Sequence, residues 1–252
     1  MRRAGTAPAI MQSEISIIVP FFNEVDNVAP LAGEILAALK DEPRAFELVF
    51  VDDASTDGTW DQIMAAHKAD PRVRGLRHSR NAGQSAALWT GFRGSRSPII
   101  MTLDGDRQND PADLPRLLAG LGQYDLVCGN RANRQDSFLR RVSSRIARRA
   151  RKLVLGVDFL DTGCGLRAFK RPVLDPLFPF NGFHRFMPVL AHSTGARVSE
   201  IPVNHRPRVA GKTKYGVWNR LGRGIADLFA VRWWQKRQIP PIPSTSFPPD
   251  DK

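Results

Sequence analysis

Four short apolar runs rich in β-branched residues, ISIIVP (15–20), FELVFV (46–51), PIIMTL (98–103) and YDLVCG (124–129), are separated by stretches with helical spacing of their apolar residues. Runs of this length read as buried strands, and strands alternating with helices imply a layered α/β fold with a mostly parallel central sheet and helices on both faces. The first helix is expected over 26–40, where Val28, Leu31, Ile35 and Leu39 share one face. The second is expected through Trp60, Ile63 and Met64 with Asp57 as its N-cap. RVRGLR (72–77) reads as a weaker strand and AGQSAALWTGFRGS (82–95) as a helix. Asp110 is expected to cap a further helix with Pro111 at its first position, where proline is favoured. VSEIPV (198–203) is expected to be a late strand, and no internal repeat is present.

In open sheets of this kind ligands bind beyond the carboxyl ends of the strands. Two acidic clusters fall there: Asp52 and Asp53 after the second run, and Asp104 and Asp106 after the third. Close carboxylates repel one another unless something positive sits between them. Alternate residues of an extended segment face the same way, so Asp104, Asp106 and Gln108 can present oxygens together. Such hard oxygen ligands suit Mg²⁺ or Mn²⁺ bridging to a phosphate. The plain alternative is a solvated turn.

The 252 residues carry 37 Lys and Arg against 25 Asp and Glu, a net charge of +12, which implies anionic partners. Nucleic acid, an acidic membrane surface and phosphorylated substrates all qualify. Nucleic acid is set aside because no zinc pattern, RNP-type strand or helix-turn-helix cue is present, and because it leaves the strand-end carboxylates unexplained. The two cysteines, Cys128 and Cys164, argue against a disulfide framework and agree with a reducing compartment. No run approaches the roughly 18 apolar residues of a membrane span, which suggests a protein that is not integral.

Residues 139–155 hold seven basic side chains, with Leu139, Val142, Ile146, Ala150 and Leu153 in one narrow stripe. This pattern suits a helix packed on the core, one lying on anionic lipid, or one on nucleic acid. Residues 217–236 suggest a second amphipathic helix containing Trp218, Phe229, Trp233 and Trp234, weakened by Gly222 and Gly224. Residues 1–13 read as a disordered leader and 239–252 as a disordered, proline-rich tail.

The stretches SIIVPFFNE, VDDASTDGT, DGDRQNDP, DTGCGLRAFKR and RVAGKTKYG occur in an order that resembles family 2 glycosyltransferases of the GT-A nucleotide-diphospho-sugar transferase fold. The resemblance is greatest to the polyprenyl-phosphate branch, that of dolichyl-phosphate mannose synthases and their bacterial undecaprenyl-phosphate counterparts. It runs from about residue 14 to 216, which marks 14–216 as the catalytic domain and 217–238 as an amphipathic helix suited to a membrane surface. It implies a metal-dependent, inverting transfer of a sugar from GDP-mannose or a UDP-sugar to a polyprenyl phosphate. The nucleotide-sugar would meet Pro20, Glu24, Asp52, Asp53, Asp104 and Asp106, with Mg²⁺ or Mn²⁺ on Asp104, Asp106 and Gln108. The acceptor phosphate would meet Arg131, Arg167, Arg208 and Lys214. Asp106, Asp161 and Arg208 would be the catalytic residues.

An acceptor phosphate is largely dianionic at neutral pH and needs little help from a base, so Asp161 is expected to orient the acceptor, the sugar or Arg167. The DTGCGLR form departs from the commoner SGFR, which bears on local geometry and sugar choice. The implied setting is cytoplasmic, peripheral at the inner membrane face and on anionic lipid, with a small integral membrane protein as a conceivable partner. Two alternatives are a GT-A enzyme with a saccharide or protein acceptor, and a non-enzymatic module binding anions or nucleic acid.

Overall fold

The computed structural model describes residues 13–131, 138–207 and 217–238. The apolar runs become strands of one seven-stranded sheet. They are β1 (Ile15–Phe21), β2 (Phe46–Asp52), β3 (Val73–Arg77), β4 (Ile99–Thr102), β5 (Leu126–Asn130), β6 (Arg167–Lys170) and β7 (Val198–Pro202), in the spatial order β3-β2-β1-β4-β6-β5-β7. The helices are α1 (Val28–Ala38), α2 (Thr59–Ala69), α3 (Gln84–Gly94), α4 (Leu114–Gly120), α5 (Phe138–Leu155), α6 (Phe183–Ser193) and α7 (Val217–Arg237). Every pairing is parallel except those of β6, which runs antiparallel to both β4 and β5.

The continuous apolar character of β1 and β2 follows from cover on both sides. Ile15, Ile17, Val19 and Phe21 join α1 (Leu31, Ile35) and α4 (Leu114, Leu117) in one core layer. Ile18, Val49 and Val51 point the other way, onto Ala87, Leu88 and Phe92 of α3 and Phe183 and Leu190 of α6. The period of two that divides these side chains between faces is a strand's own.

Three details differ from the sequence reading. Helix α2 starts after Gly58, whose backbone is left-handed, so Asp57 stands one residue before the cap. Its Oδ1 accepts from the Thr59 N–H at 3.1 Å and its Oδ2 from the Val25 N–H at 3.2 Å, which joins two loops instead of closing one helix. Asp110 does cap, accepting from the Ala112 N–H at 3.0 Å, but the first turn is a 3₁₀ turn and α4 begins only at Leu114. Strand β6 has four residues and α6 carries Pro188 in its interior, so neither shows a clear period in the sequence.

The two amphipathic segments are helical, and α7 runs unbroken through Gly222 and Gly224. Leu228, Val231 and Trp234 of α7 lie on the second core layer, while Ile225, Phe229 and Trp233, four residues apart, are 51%, 62% and 63% exposed. In α5, Ala150, Val154 and Leu155 turn inward, while Ile146 and Leu153 of the stripe stand in solvent. Of these stripe residues, Ala150 thus meets the core while Ile146 and Leu153 do not. Among the described residues no helix is long and apolar enough to cross a membrane.

Helix α3 lies so close to β1 that a Cβ on Gly91 would collide with the Ile18 side chain. Gly91→Ala gains helix propensity but overpacks this layer. It is expected to destabilise the fold by roughly 1–3 kcal/mol, read as a lower denaturation midpoint at unchanged slope.

Candidate active site

The sheet register brings the acidic clusters together. Phe21 lies opposite Asp52 and Ile18 opposite Thr102, so β1, β2 and β4 end along one edge. Just beyond these ends Asn23, Ala54 and Arg107 have left-handed backbones, with φ of 50°, 60° and 58°. Such conformations cost a non-glycine residue about 1–2 kcal/mol and persist where the surroundings enforce them, commonly at functional sites. Gly105 crosses the end of β1, where an added Cβ would lie 2.7 Å from the Pro20 carbonyl oxygen and from the Phe21 ring. Pro20 therefore meets the site through its backbone, as the seat of the acidic loop.

Asp52 and Asp53 have separate tasks. Asp52 is fully buried; its Oδ1 accepts from the Ser55 N–H at 3.0 Å. Its Oδ2 is 3.1 Å from Arg77 Nε but out of line for a hydrogen bond, and makes none. The carboxylate is thus ion-paired to Arg77 and closed off from solvent. Asp53 accepts from His78 Nδ1 (2.7 Å), Asn81 Nδ2 (2.9 Å), the Ala82 N–H (2.8 Å) and the Gly83 N–H (2.7 Å). These bonds shape the loop entering α3. Glu24 is buried, with Oε2 accepting from Asn27 Nδ2 at 2.6 Å and its own N–H donating to Thr59 Oγ1 at 2.9 Å.

Gln84, the first residue of α3, donates from Nε2 to Asp104 Oδ1 at 2.7 Å. The sequence reading passed over it; the helix start in RNAGQS was the only signal. Burial and the neighbouring Asp106 push the Asp104 carboxyl up to about 6, against the pull of Arg131 and Arg167. Gly165 presses against this carboxylate so closely that a Cβ there would overlap it. Asp106 Oδ1 accepts from the Gln108 N–H at 3.2 Å, closing the loop on itself. The residues present fit a divalent cation in chemistry: two carboxylates and an amide oxygen on one loop, with the Asp104 carboxylate disfavoured by burial and by Asp106. Among the described residues no three His, Cys, Asp or Glu side chains converge, so a cation here would complete its shell from a ligand's phosphate oxygens or from water.

The opposite wall belongs to Arg131 and Asp161, a forked pair with Nε to Oδ2 at 2.6 Å and Nη2 to Oδ1 at 2.8 Å. Burial works to raise the Asp161 carboxyl, but the hydrogen bonds and charge of Arg131 win and hold it below the usual carboxylate range. Glu200 of β7, unnoticed in the sequence, fixes this loop by accepting from the N–H groups of Leu160 (2.7 Å) and Asp161 (2.8 Å). Asp161 thus orients Arg131 and not Arg167. Arg167 is only 3% exposed, with Nη2 donating to the Thr162 carbonyl at 3.0 Å and Nε unpaired, so it lies inside the wall and not on an open surface. Ser85 Oγ accepts from the Gly182 N–H at 2.9 Å and lies 2.7 Å from His184 Nδ1, tying α3 to the start of α6. Burial, with Arg167 and Arg185, pushes His184 down to about 3 and keeps it neutral. Arg208 and Lys214 lie outside the described residues.

A sheet with one reversed strand, acids at the ends of β1, β2 and β4, and an arginine wall opposite define a GT-A sugar-transferase architecture. The chain belongs to glycosyl transferase family 2, which it matches over residues 16–178. It is 35% identical over 246 residues to a dodecaprenyl-phosphate galacturonate synthase of Rhizobium johnstonii, covering 94% of this chain and 72% of that one. It is 35% identical over 209 residues to an undecaprenyl-phosphate 4-deoxy-4-formamido-L-arabinose transferase of Aeromonas hydrophila, covering 82% of this chain but only 64% of the relative. The resemblance to the polyprenyl-phosphate branch is borne out by both. In structure it is similar to a mannosyltransferase from Pyrobaculum calidifontis in complex with GDP-Man and Mn²⁺, with a TM-score of 0.63 at 22% identity over 95% of this chain and 69% of that one. That likeness bears out the fold.

Because the folded protein disfavours ionised Asp104, metal-free stability falls as pH rises from about 4 through about 6, by on the order of 3 kcal/mol in all. Asp104→Asn removes that cost. The metal-free variant is expected to melt above wild type at pH 7.5, with the difference gone below about pH 4, while binding of Mn²⁺ is lost.

Proposed function

We propose that this enzyme moves a sugar, with inversion, from a nucleotide-sugar to a polyprenyl phosphate as a peripheral protein on the cytoplasmic face of a membrane. The observation that carries the reading is the meeting of two halves at one sheet edge: a donor half at Asp52, Asp104 and Asp106, and an acceptor half at Arg131 and Asp161. The names of the two relatives support the lipid phosphate as acceptor.

On the donor side, Asp52 at the end of β2 is proposed to meet the base and Glu24 the ribose. A divalent cation held by Asp104, Asp106 and Gln108 would offset the charge that develops on the departing diphosphate. On the acceptor side Arg131 spends two N–H directions on Asp161 and keeps the remainder of its five donors for a phosphate. Asp161, held ionised by Arg131, makes a poor proton acceptor, and a phosphate dianion supplies its own nucleophilic oxygen to the anomeric carbon. Arg208 and Lys214 are proposed to add to this anion site, and Arg167 to act from behind the wall through its charge.

Residues 14–216 form the catalytic unit in this reading and 217–238 the lipid-facing helix. The second apolar face of α7 (Ile225, Phe229, Trp233), with Lys236 and Arg237 in its last turn, supports seating on an anionic bilayer.

The test is transfer of labelled sugar into the organic phase with undecaprenyl phosphate, Mn²⁺ and a panel of UDP- and GDP-sugars. Label is expected from one UDP- or GDP-sugar, abolished by EDTA and cut by about 100-fold or more in Asp106→Ala. Metal-dependent nucleotide release without lipid label would move the acceptor to a saccharide or protein. For the membrane face, the Phe229→Asp, Trp233→Asp double variant is expected to lose sedimentation with phosphatidylglycerol vesicles while binding nucleotide as wild type does. Undiminished sedimentation would remove α7 from the membrane contact.

A further inference from the structure

The stretch 204–207, which precedes Arg208 in the sequence, is fastened to the acidic loop. The Arg206 N–H donates to the Gln108 carbonyl at 2.9 Å, and His205 forms an isolated antiparallel bridge with Asn109. The Asn204 N–H donates to Asp113 Oδ2 at 2.7 Å. Side chains then tie both segments to α1. Glu34 Oε2 accepts from Arg206 Nη1 at 2.6 Å, and Arg206 Nη2 donates to Asp110 Oδ1 at 2.6 Å. Glu34 Oε1 accepts from Arg107 Nε at 3.1 Å and from Arg107 Nη2. Arg107 lies between Asp106 and Gln108 and has one of the three left-handed backbones.

We infer that Glu34 is a positioning residue for the acceptor, a clasp that holds residues 204–206 against the loop of Asp104 and Asp106. This rests on the transfer proposed above. One carboxylate joins two arginines that lie 73 and 172 residues from it in the chain, each partly open to solvent. Partly exposed ion pairs contribute little to stability. What the arrangement supplies is registry: residues 204–206, just before Arg208 in the sequence, are held to the loop of Asp104 and Asp106. In-line attack requires the two phosphates to stand at a fixed separation, and misplacement of about an ångström is costly to rate.

The experiment compares wild type with Glu34→Gln, which keeps shape but loses charge, and with Arg206→Gln. Hydrogen exchange at the amides of 204–206 is expected to quicken about tenfold in Glu34→Gln, with the β1 amides unchanged. The KM for undecaprenyl phosphate is expected to rise about fivefold or more in both variants, with the KM for nucleotide-sugar within about twofold of wild type. The donor loop keeps its seat through Gly105 and through the Asp104 N–H, which donates to Asn109 Oδ1 at 3.0 Å. Glu34→Asp is expected to recover part of the lipid KM. Unchanged exchange at 204–206 would overturn the clasp whatever the activity, and so would faster exchange with an unchanged lipid KM, or equal losses in both KM values. If wild type itself moves no sugar to lipid, the functional reading fails, and exchange alone decides whether 204–206 is clasped.

Discussion

Parallel pairing of β1 with β2 on one side and β4 on the other is the constraint on which the site depends. The ladders from Ile15↔Phe46 to Phe21↔Asp52 and from Ile15↔Ile99 to Ile18↔Thr102 leave no freedom in where each chain emerges. Register is fixed because each strand is buried on both faces, and a one-residue slip would exchange the two core layers. Three loops must then turn within a few ångströms of one another. The left-handed residues Asn23, Ala54 and Arg107 are the backbone consequence of that crowding, and Gly105 is the point of closest approach.

Electrostatics complete what the register begins. Asp104 and Asp106 are half-buried at the strand ends, and the nearby arginines do not fully compensate Asp104: Arg131 is committed to Asp161, and Arg167 donates to the Thr162 carbonyl. The result is an acidic loop short of positive charge beside a wall that carries arginine. A metal-bound diphosphate would satisfy the first and a phosphate monoester the second, which is why the same edge suits both partners of one transfer.

The strand ends were legible because local pattern and chemistry coincide there: a buried run stops at Asp52, another just before Asp104. The loop contacts of Asp53 were not legible, because its partners at 78–83 follow a whole helix and strand and are chosen by the fold. Asp57 was displaced by a single residue, since only the backbone of Gly58 decides where α2 begins. The pairing of Asp161 with Arg131, its support by Glu200, and the clasp at Glu34 join residues that no period connects. In α5 the apolar stripe is divided: Ala150 packs inward with Val154 and Leu155 beside it, and Ile146 and Leu153 stand in solvent. Intrinsic propensity likewise misjudged Gly222 and Gly224, which α7 absorbs because Leu228, Val231 and Trp234 anchor it.

The most direct measurement is calorimetric titration of UDP and of GDP into the protein at pH 7.5, with Mn²⁺ and again with EDTA, beside Asp52→Ala and Asp104→Asn. Binding of one of the two is expected with Mn²⁺, weakened by a factor of about 30 or more in EDTA or in either variant, since each removes one of the two contacts proposed at the strand ends. Equal affinity with and without metal, or an Asp52→Ala protein that binds that nucleotide as tightly as wild type, would contradict a donor site built on that edge.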